Sequence, residues 1–176
     1  GWEGKPVEVE VYTQQPEVKL YLDDQLIGTK QVSRDTEFKA VFSVPYKVGT
    51  LRAEAGGESV TLKTAGEPAR LRLTPDRTVM TADGQSLTFV TIEVLDKQGT
   101  LVPEAAISCE ATIKGAGTLL AFASADLKDT ESYTSSHVKT WKGRALLVIR
   151  STQKKGAVSV SIKSTLPTVG LTLKSK

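Results

Sequence analysis

Short runs in which apolar and polar residues alternate recur from one end of this chain to the other, and no stretch repeats at the helical period. The first, PVEVEVY, puts Val7, Val9 and Val11 on one face and Glu8, Glu10 and Tyr12 on the other. A period of two is the mark of a half-buried strand, because successive side chains point to opposite sides of a sheet. Such runs separated by turn residues predict an all-β protein. A chain that enters a strand so soon after Trp2 is expected to be a piece cut from something longer.

The runs fall into two groups. The first holds Val7–Tyr12, Val18–Leu22, Glu37–Val44, Leu51–Ala55 and Ser59–Lys63. Parity points Val18, Leu20 and Leu22 inward, then Phe38, Ala40 and Phe42, then Leu51 and Ala53. Asp23-Asp24 and Gly56-Gly57 read as tight turns. The second group holds Ala69–Thr74, Thr88–Leu95, Ile107–Ile113, Thr118–Phe122, Ala145–Ser151, Ala157–Lys163 and Val169–Leu173. Here Val90, Ile92 and Val94 point inward, as do Val158, Val160 and Ile162, and Asp96-Lys97-Gln98-Gly99 is a turn. GRALLVIRS is apolar on both parities, which predicts a central strand covered on both sides.

Between the groups lies Ala65-Gly66-Glu67-Pro68, where small, flexible and rigid residues follow a finished strand set. A boundary there gives a small sandwich over residues 1–66 and a larger one over 67–176. Seven runs in about 108 residues suit an immunoglobulin-like sandwich. The expected fold is therefore two consecutive immunoglobulin-like β-sandwich domains. The Cys…Trp…Cys framework of antibody domains is missing from both, so the likeness is one of architecture.

Composition narrows the chemistry. The 176 residues contain one cysteine and one histidine. Cys109 alone allows no internal disulfide and no cysteine-based metal site, and it lies on the apolar side of its run as a small buried hydrophobe. Around the single His137, expected in a loop, no triad or metal cluster can be built. No phosphate loop or dinucleotide fingerprint occurs. Glu8, Glu10, Glu93 and Glu110 fall on outward strand faces, where acids are solvated rather than held as a catalytic pair. No catalytic residue, cofactor or metal is expected. No apolar run approaches the roughly 20 residues of a membrane-spanning helix, and no membrane insertion is expected.

Charge is uneven along the chain. The net charge is +3, all 20 acidic residues lie at or before Glu131, and nine Lys or Arg with no acid occupy positions 138–176. The basic residues are spread through strands, which suits a solvated face or one turned to an acidic neighbouring module, and no nucleic-acid partner is expected. A flat ring packs on the apolar side of a pyranose, so exposed aromatics are candidate carbohydrate contacts, with Trp141 and Tyr133 foremost. The competing role for Trp141 is to cap the core where its strand begins.

WEGKPVEVEVYT followed by EVKLYLDDQLIGTKQV resembles the small β-sandwich that follows the catalytic barrel in bacterial glycoside hydrolase family 2 β-galactosidases. ARLRLTPDRTVMTADGQSLTFVTIEVLDKQGTLVPEA resembles the next immunoglobulin-like module of those enzymes, as does the closing YTSSHVKTWKGRALLVIRSTQKKGAVSVSIKS. Two places depart from the pattern. Asp23-Asp24 stands where Asn-Gly is usual, and Ala121–Asp126 replaces a stretch rich in Gly and Asn.

The resemblance implies a parent that hydrolyses β-galactosides or related glycosides by a retaining two-glutamate mechanism. Both glutamates would lie on an upstream barrel, outside this sequence. It also implies a structural role beside that catalytic domain of the same polypeptide, and a periplasmic, cell-surface or secreted location. The alternatives are a pair of carbohydrate-binding modules and a set of bacterial immunoglobulin-like adhesion domains.

Overall fold

The computed structural model describes residues 2–176, and among these every regular element is a strand. The chain divides into two compact units, the first ending at Thr64 and the second running Ala65–Lys176.

The first unit contains β1 (Pro6–Tyr12), β2 (Glu17–Leu22), β3 (Gln25–Gln31), β4 (Lys39–Pro45), β5 (Thr50–Ala55) and β6 (Glu58–Lys63). β1 and β4 form a two-stranded sheet, and the other four strands run in the order β3-β2-β5-β6. Val18, Leu20, Val32, Ala40, Phe42 and Val44 form the buried centre, with the valines of β1 packed half-buried against it. Asp23 and Asp24 close the β2–β3 hairpin with φ of 48° and 64°, the doubly positive pair that a two-residue hairpin requires. The Asp23 carboxylate offsets that backbone cost by accepting from the Thr50 N–H at 2.8 Å and from Lys47 Nζ at 3.2 Å.

Two expectations for this unit are corrected. Phe38 is not an inward strand residue: it is 45% exposed, and Glu37 and Phe38 have φ of 55° and 58°. A turn closed by the Phe38 N–H on the Ser33 carbonyl delays β4 until Lys39, which pairs with Tyr12. β3 is a strand without a run to announce it. At the sheet edge nearly all its side chains are exposed, so no alternation is imposed on them.

The second unit contains β7 (Arg70–Pro75), β8 (Val79–Met80), β9 (Leu87–Leu95), β10 (Ser108–Gly115), β11 (Gly117–Ala123), β12 (His137–Lys139), β13 (Arg144–Ser151), β14 (Gly156–Lys163) and β15 (Val169–Ser175). One sheet has the order β12-β10-β14-β15-β8 and the other β11-β13-β9-β7. The chain passes from one sheet to the other between β7 and β8, where β8 joins β15 in parallel. Val90, Ile92, Val94, Leu147, Ile149, Val158, Val160 and Ile162 fill the space between the sheets with at most 3% exposure each. This is an immunoglobulin-like sandwich, in which the inner faces of both sheets interdigitate.

The start of this unit is pinned rather than free. Asp96, 2% exposed, accepts from the Gly66 N–H at 2.9 Å and from the Thr100 N–H at 2.8 Å. The Ala69 N–H then donates to the Leu95 carbonyl, and Ala65 packs on the core. Two expectations fail here. His137 sits in β12, not in a loop, and pairs with Glu110 of β10. β13 is an inner strand of its sheet, but only one side is covered, since Leu146 is 40% exposed.

Candidate interaction surface

That uncovered side carries an ordered set of side chains. Antiparallel register places Glu93 of β9 opposite both Arg72 of β7 and Arg144 of β13. Arg72 donates to Glu93 Oε2 from Nη2 at 2.6 Å and from Nε at 3.0 Å, and Arg144 Nε donates to Oε1 at 3.2 Å. The Glu93 side chain is 13% exposed, against 54% and 55% for the two arginines. Burial pushes the Glu93 carboxyl up, and the two guanidinium groups more than offset this and hold it below its ordinary value. The expectation that Glu93 is merely solvated is therefore corrected. It is a clamped anion with cations on both sides.

Beyond this charged row the same face turns apolar. Thr91 lies opposite Leu146 and Phe89 opposite Val148, while Ala121 and Ala123 of β11 pair with Val148 and Leu146. Residues directly opposite each other share a face, so these side chains form one patch, with Phe89 and Leu146 each 40% exposed. The double apolar parity of GRALLVIRS now has two meanings. Ala145, Leu147 and Ile149 fill the core, and Leu146 and Val148 build the outer patch.

Trp141 stands at the head of β13. Its N–H and carbonyl exchange hydrogen bonds with Arg144 at 2.9 and 3.0 Å across a turn in which Lys142 and Gly143 have φ of 50° and 71°. That pairing puts Trp141 on the face carrying Arg144. Trp141 is 42% exposed, with Lys142 Nζ 5.9 Å from the ring centroid, so it does not cap the core. The other aromatic candidate, Tyr133, is 66% exposed and lies in the loop before β12, where its carbonyl accepts from the Phe122 N–H. Phe122 pairs with Leu147, three residues along β13 from Arg144, or about 10 Å at the rise of a strand. Trp141 and Tyr133 lie beyond opposite ends of β12.

The remaining reactive side chains have ordinary surroundings. His137 Nε2 lies 3.7 Å from Glu110 Oε1, and its other ring nitrogen is 3.1 Å from Ser136 Oγ. Cys109 is 2% exposed, and burial pushes its thiol up to about 11, so it stays protonated at neutral pH. In the first unit a polar groove of about 470 Å³ is bordered by Glu17, Lys19, Glu54 and Glu58. Among the described residues, no three His, Cys, Asp or Glu side chains are placed to hold a metal ion. The arrangement as a whole can bind a surface or a ligand.

A family described as "Glycoside hydrolase family 2 C-terminal domain 5" matches residues 71–168. The chain belongs to the C-terminal region of glycoside hydrolase family 2. A second family, described as "Domain of unknown function (DUF4982)", matches residues 4–61 of this glycoside hydrolase family 2 segment. The segment is 34% identical over 158 residues to beta-galactosidase BoGH2A of Bacteroides ovatus, covering 87% of this chain and 18% of that protein. It is also 34% identical over 107 residues to a beta-glucuronidase of Formosa agariphila, covering 56% of this chain and 11% of the relative. The crystal structure of a glycosyl hydrolase family 2 member from Bacteroides cellulosilyticus superposes with a TM-score of 0.96 at 33% identity, over 100% of this chain and 24% of that one. The family 2 segment therefore spans less than a fifth of either curated relative.

Proposed function

We propose that this chain is the non-catalytic C-terminal accessory part of a bacterial β-galactosidase-type glycoside hydrolase and gives structural support to the catalytic domain of the same polypeptide. The observation that carries this reading is the mismatch in coverage. Nearly all of the chain aligns with BoGH2A, yet it accounts for 18% of that enzyme's length. The exposed patch of Phe89, Leu146 and Val148 beside the Arg72–Glu93–Arg144 row supports it, since apolar centres with a charged border are what docking surfaces look like. Two curated relatives carry different activity names over this same region, which fits a segment that does not choose the sugar.

The test compares the parent polypeptide with a version lacking these residues. The full parent should hydrolyse a chromogenic β-galactoside and the 176-residue chain should not. Deletion should lower the parent's melting temperature or alter its assembly more than its kcat/KM. Turnover by the purified chain alone would overturn the reading. Export to the periplasm, cell surface or medium is part of the same proposal, on family likeness alone, and cell fractionation tests it.

A second reading, carbohydrate binding, is favoured by one observation: the Trp141 ring is exposed on the face that also carries Arg144. A ring and a guanidinium side by side suit a sugar's apolar face and its hydroxyl groups. A glycan array with the wild-type chain and Trp141→Ala decides it. Binding that survives the substitution would rule Trp141 out as the sugar contact.

A further inference from the structure

The first unit is a sandwich of unequal sheets. Two strands, β1 and β4, oppose four. Register connects the covered and uncovered parts of the wider sheet. Leu20 of β2 lies opposite Ala53 of β5, which lies opposite Val60 of β6, and Leu22, Leu51 and Leu62 form the parallel row. Each row begins in or beside the core and ends in the open. Leu20 is 0% exposed, Ala53 and Leu51 are half-buried, and Val60 and Leu62 are 69% and 66% exposed. Because residues opposite each other share a face, the inner face of the sheet runs out past its own cover.

Edge strands are normally blunted by charges, proline or bulges that discourage pairing. β6 reads ESVTLK, with Val60 and Leu62 on the core side of an edge and every residue exposed. Single exposed apolar side chains are commonplace. Two rows continuous with a core are not, and an uncovered face of this kind marks a docking surface.

Two observations select the occupant. The matched segment is C-terminal in its family, and relatives such as BoGH2A are several times longer. The beginning of the unit is also fastened beside the open face. The Gly4 N–H donates to the Tyr46 carbonyl and the Tyr46 N–H to the Lys5 carbonyl. The connection following Tyr46 carries Val48, 60% exposed, and leads to Thr50, which pairs with Lys63 next to Leu62. A module joined ahead of Trp2 is thus tethered at Tyr46, from which the chain leads through Val48 into β5, at the millimolar effective concentration a short linker provides.

We propose that the β5–β6 half of this inner face, ending at Val60 and Leu62, docks an apolar surface of the module that precedes it in the family 2 polypeptide. The inference rests on the accessory-part reading above.

The test uses Val60→Cys and Leu62→Cys, each made in the 176-residue chain and in the parent polypeptide. Maleimide labelling is read by peptide mass spectrometry, with buried Cys109 reporting that the second unit stays folded and the lower-temperature melting transition reporting the first. Both new thiols should label rapidly in the chain and at least about tenfold more slowly in the parent, where an occluded thiol reacts only through local opening. Val60→Lys should leave the melting of the chain unchanged and lower that of the parent. Equal labelling rates in the two proteins would overturn the proposal. So would slow labelling in the chain itself, which means a second copy when the chain sediments as a dimer and its own second unit when it sediments as a monomer. The underlying reading fails in a different way, through a gene that encodes no preceding catalytic module, and that result overturns both.

Discussion

Arg72 holds Glu93 by two hydrogen bonds to one carboxylate oxygen, across neighbouring strands of the second unit. With Arg144 on the other oxygen, one anion ties three strands together. Glu93→Gln should cost about 1–2 kcal/mol at neutral pH, as expected for a charge-assisted pair whose arginines are half in solvent. The effect should diminish in acid. The folded carboxyl titrates below its ordinary value, so the folded state binds its proton less readily than the unfolded chain. Its stabilisation is complete above the unfolded glutamate pKa of about 4.3 and is lost as pH falls through the lowered folded value. Denaturant melts at pH 7 and pH 3 check this: the gap between wild type and variant should be smaller at the lower pH.

Asp96 fastens the beginning of the second unit through the Gly66 N–H, and this bond above all lowers its carboxyl from the ordinary value. Asp96→Ala should destabilise the second unit, because it removes the acceptor of two backbone donors. It should also free residues 64–69. Limited proteolysis measures the result, and cleavage there should be faster in the variant than in the wild type. An unchanged rate would show that Asp96 does not hold the segment.

Gly143→Ala should destabilise the second unit by about 1–3 kcal/mol, the range for a strained left-handed residue. Gly143 has φ of 71°, and a Cβ there would lie 2.3 Å from the Val102 carbonyl oxygen. Its N–H and carbonyl are committed to Ala105 and Val94, so the turn cannot swing away. Thermal melting should show the loss, and near-ultraviolet circular dichroism should report a changed Trp141 environment.

Calorimetry should resolve two transitions, with the first unit melting at the lower temperature. Its buried centre is small and half-open, and a sandwich of this size buries proportionally less surface than a larger one. The second unit closes two full sheets over a much larger core. A single cooperative transition would mean that the units behave as one body.

The strand class, the turns and the family were all legible along the chain, because each is written locally. Alternation identified Val90, Ile92 and Val94 and also Val158, Val160 and Ile162 as core, since burial on one face of a strand imposes a period of two on its sequence. The Asp23-Asp24 turn was visible for a similar reason, as four neighbouring residues determine it. β3, β8 and β12 were not visible, being an edge strand or only two or three residues long, with little burial to impose a pattern. Parity misplaces Phe38, because a left-handed turn intervenes where alternation alone continues a strand.

The surfaces were a matter for tertiary structure alone. Arg72 and Arg144 lie 21 and 51 residues from the glutamate they share, and only strand register brings such distant charges opposite one another. GRALLVIRS is apolar on both parities, and its residues by themselves do not say whether the second side meets this chain, another module or solvent. Val60 and Leu62 likewise look like any inward pair of a strand. That they emerge from under their own cover follows from a count of strands in two opposed sheets, two against four. Hydrophobicity is a property of a residue, whereas coverage is a property of what the completed fold places over it.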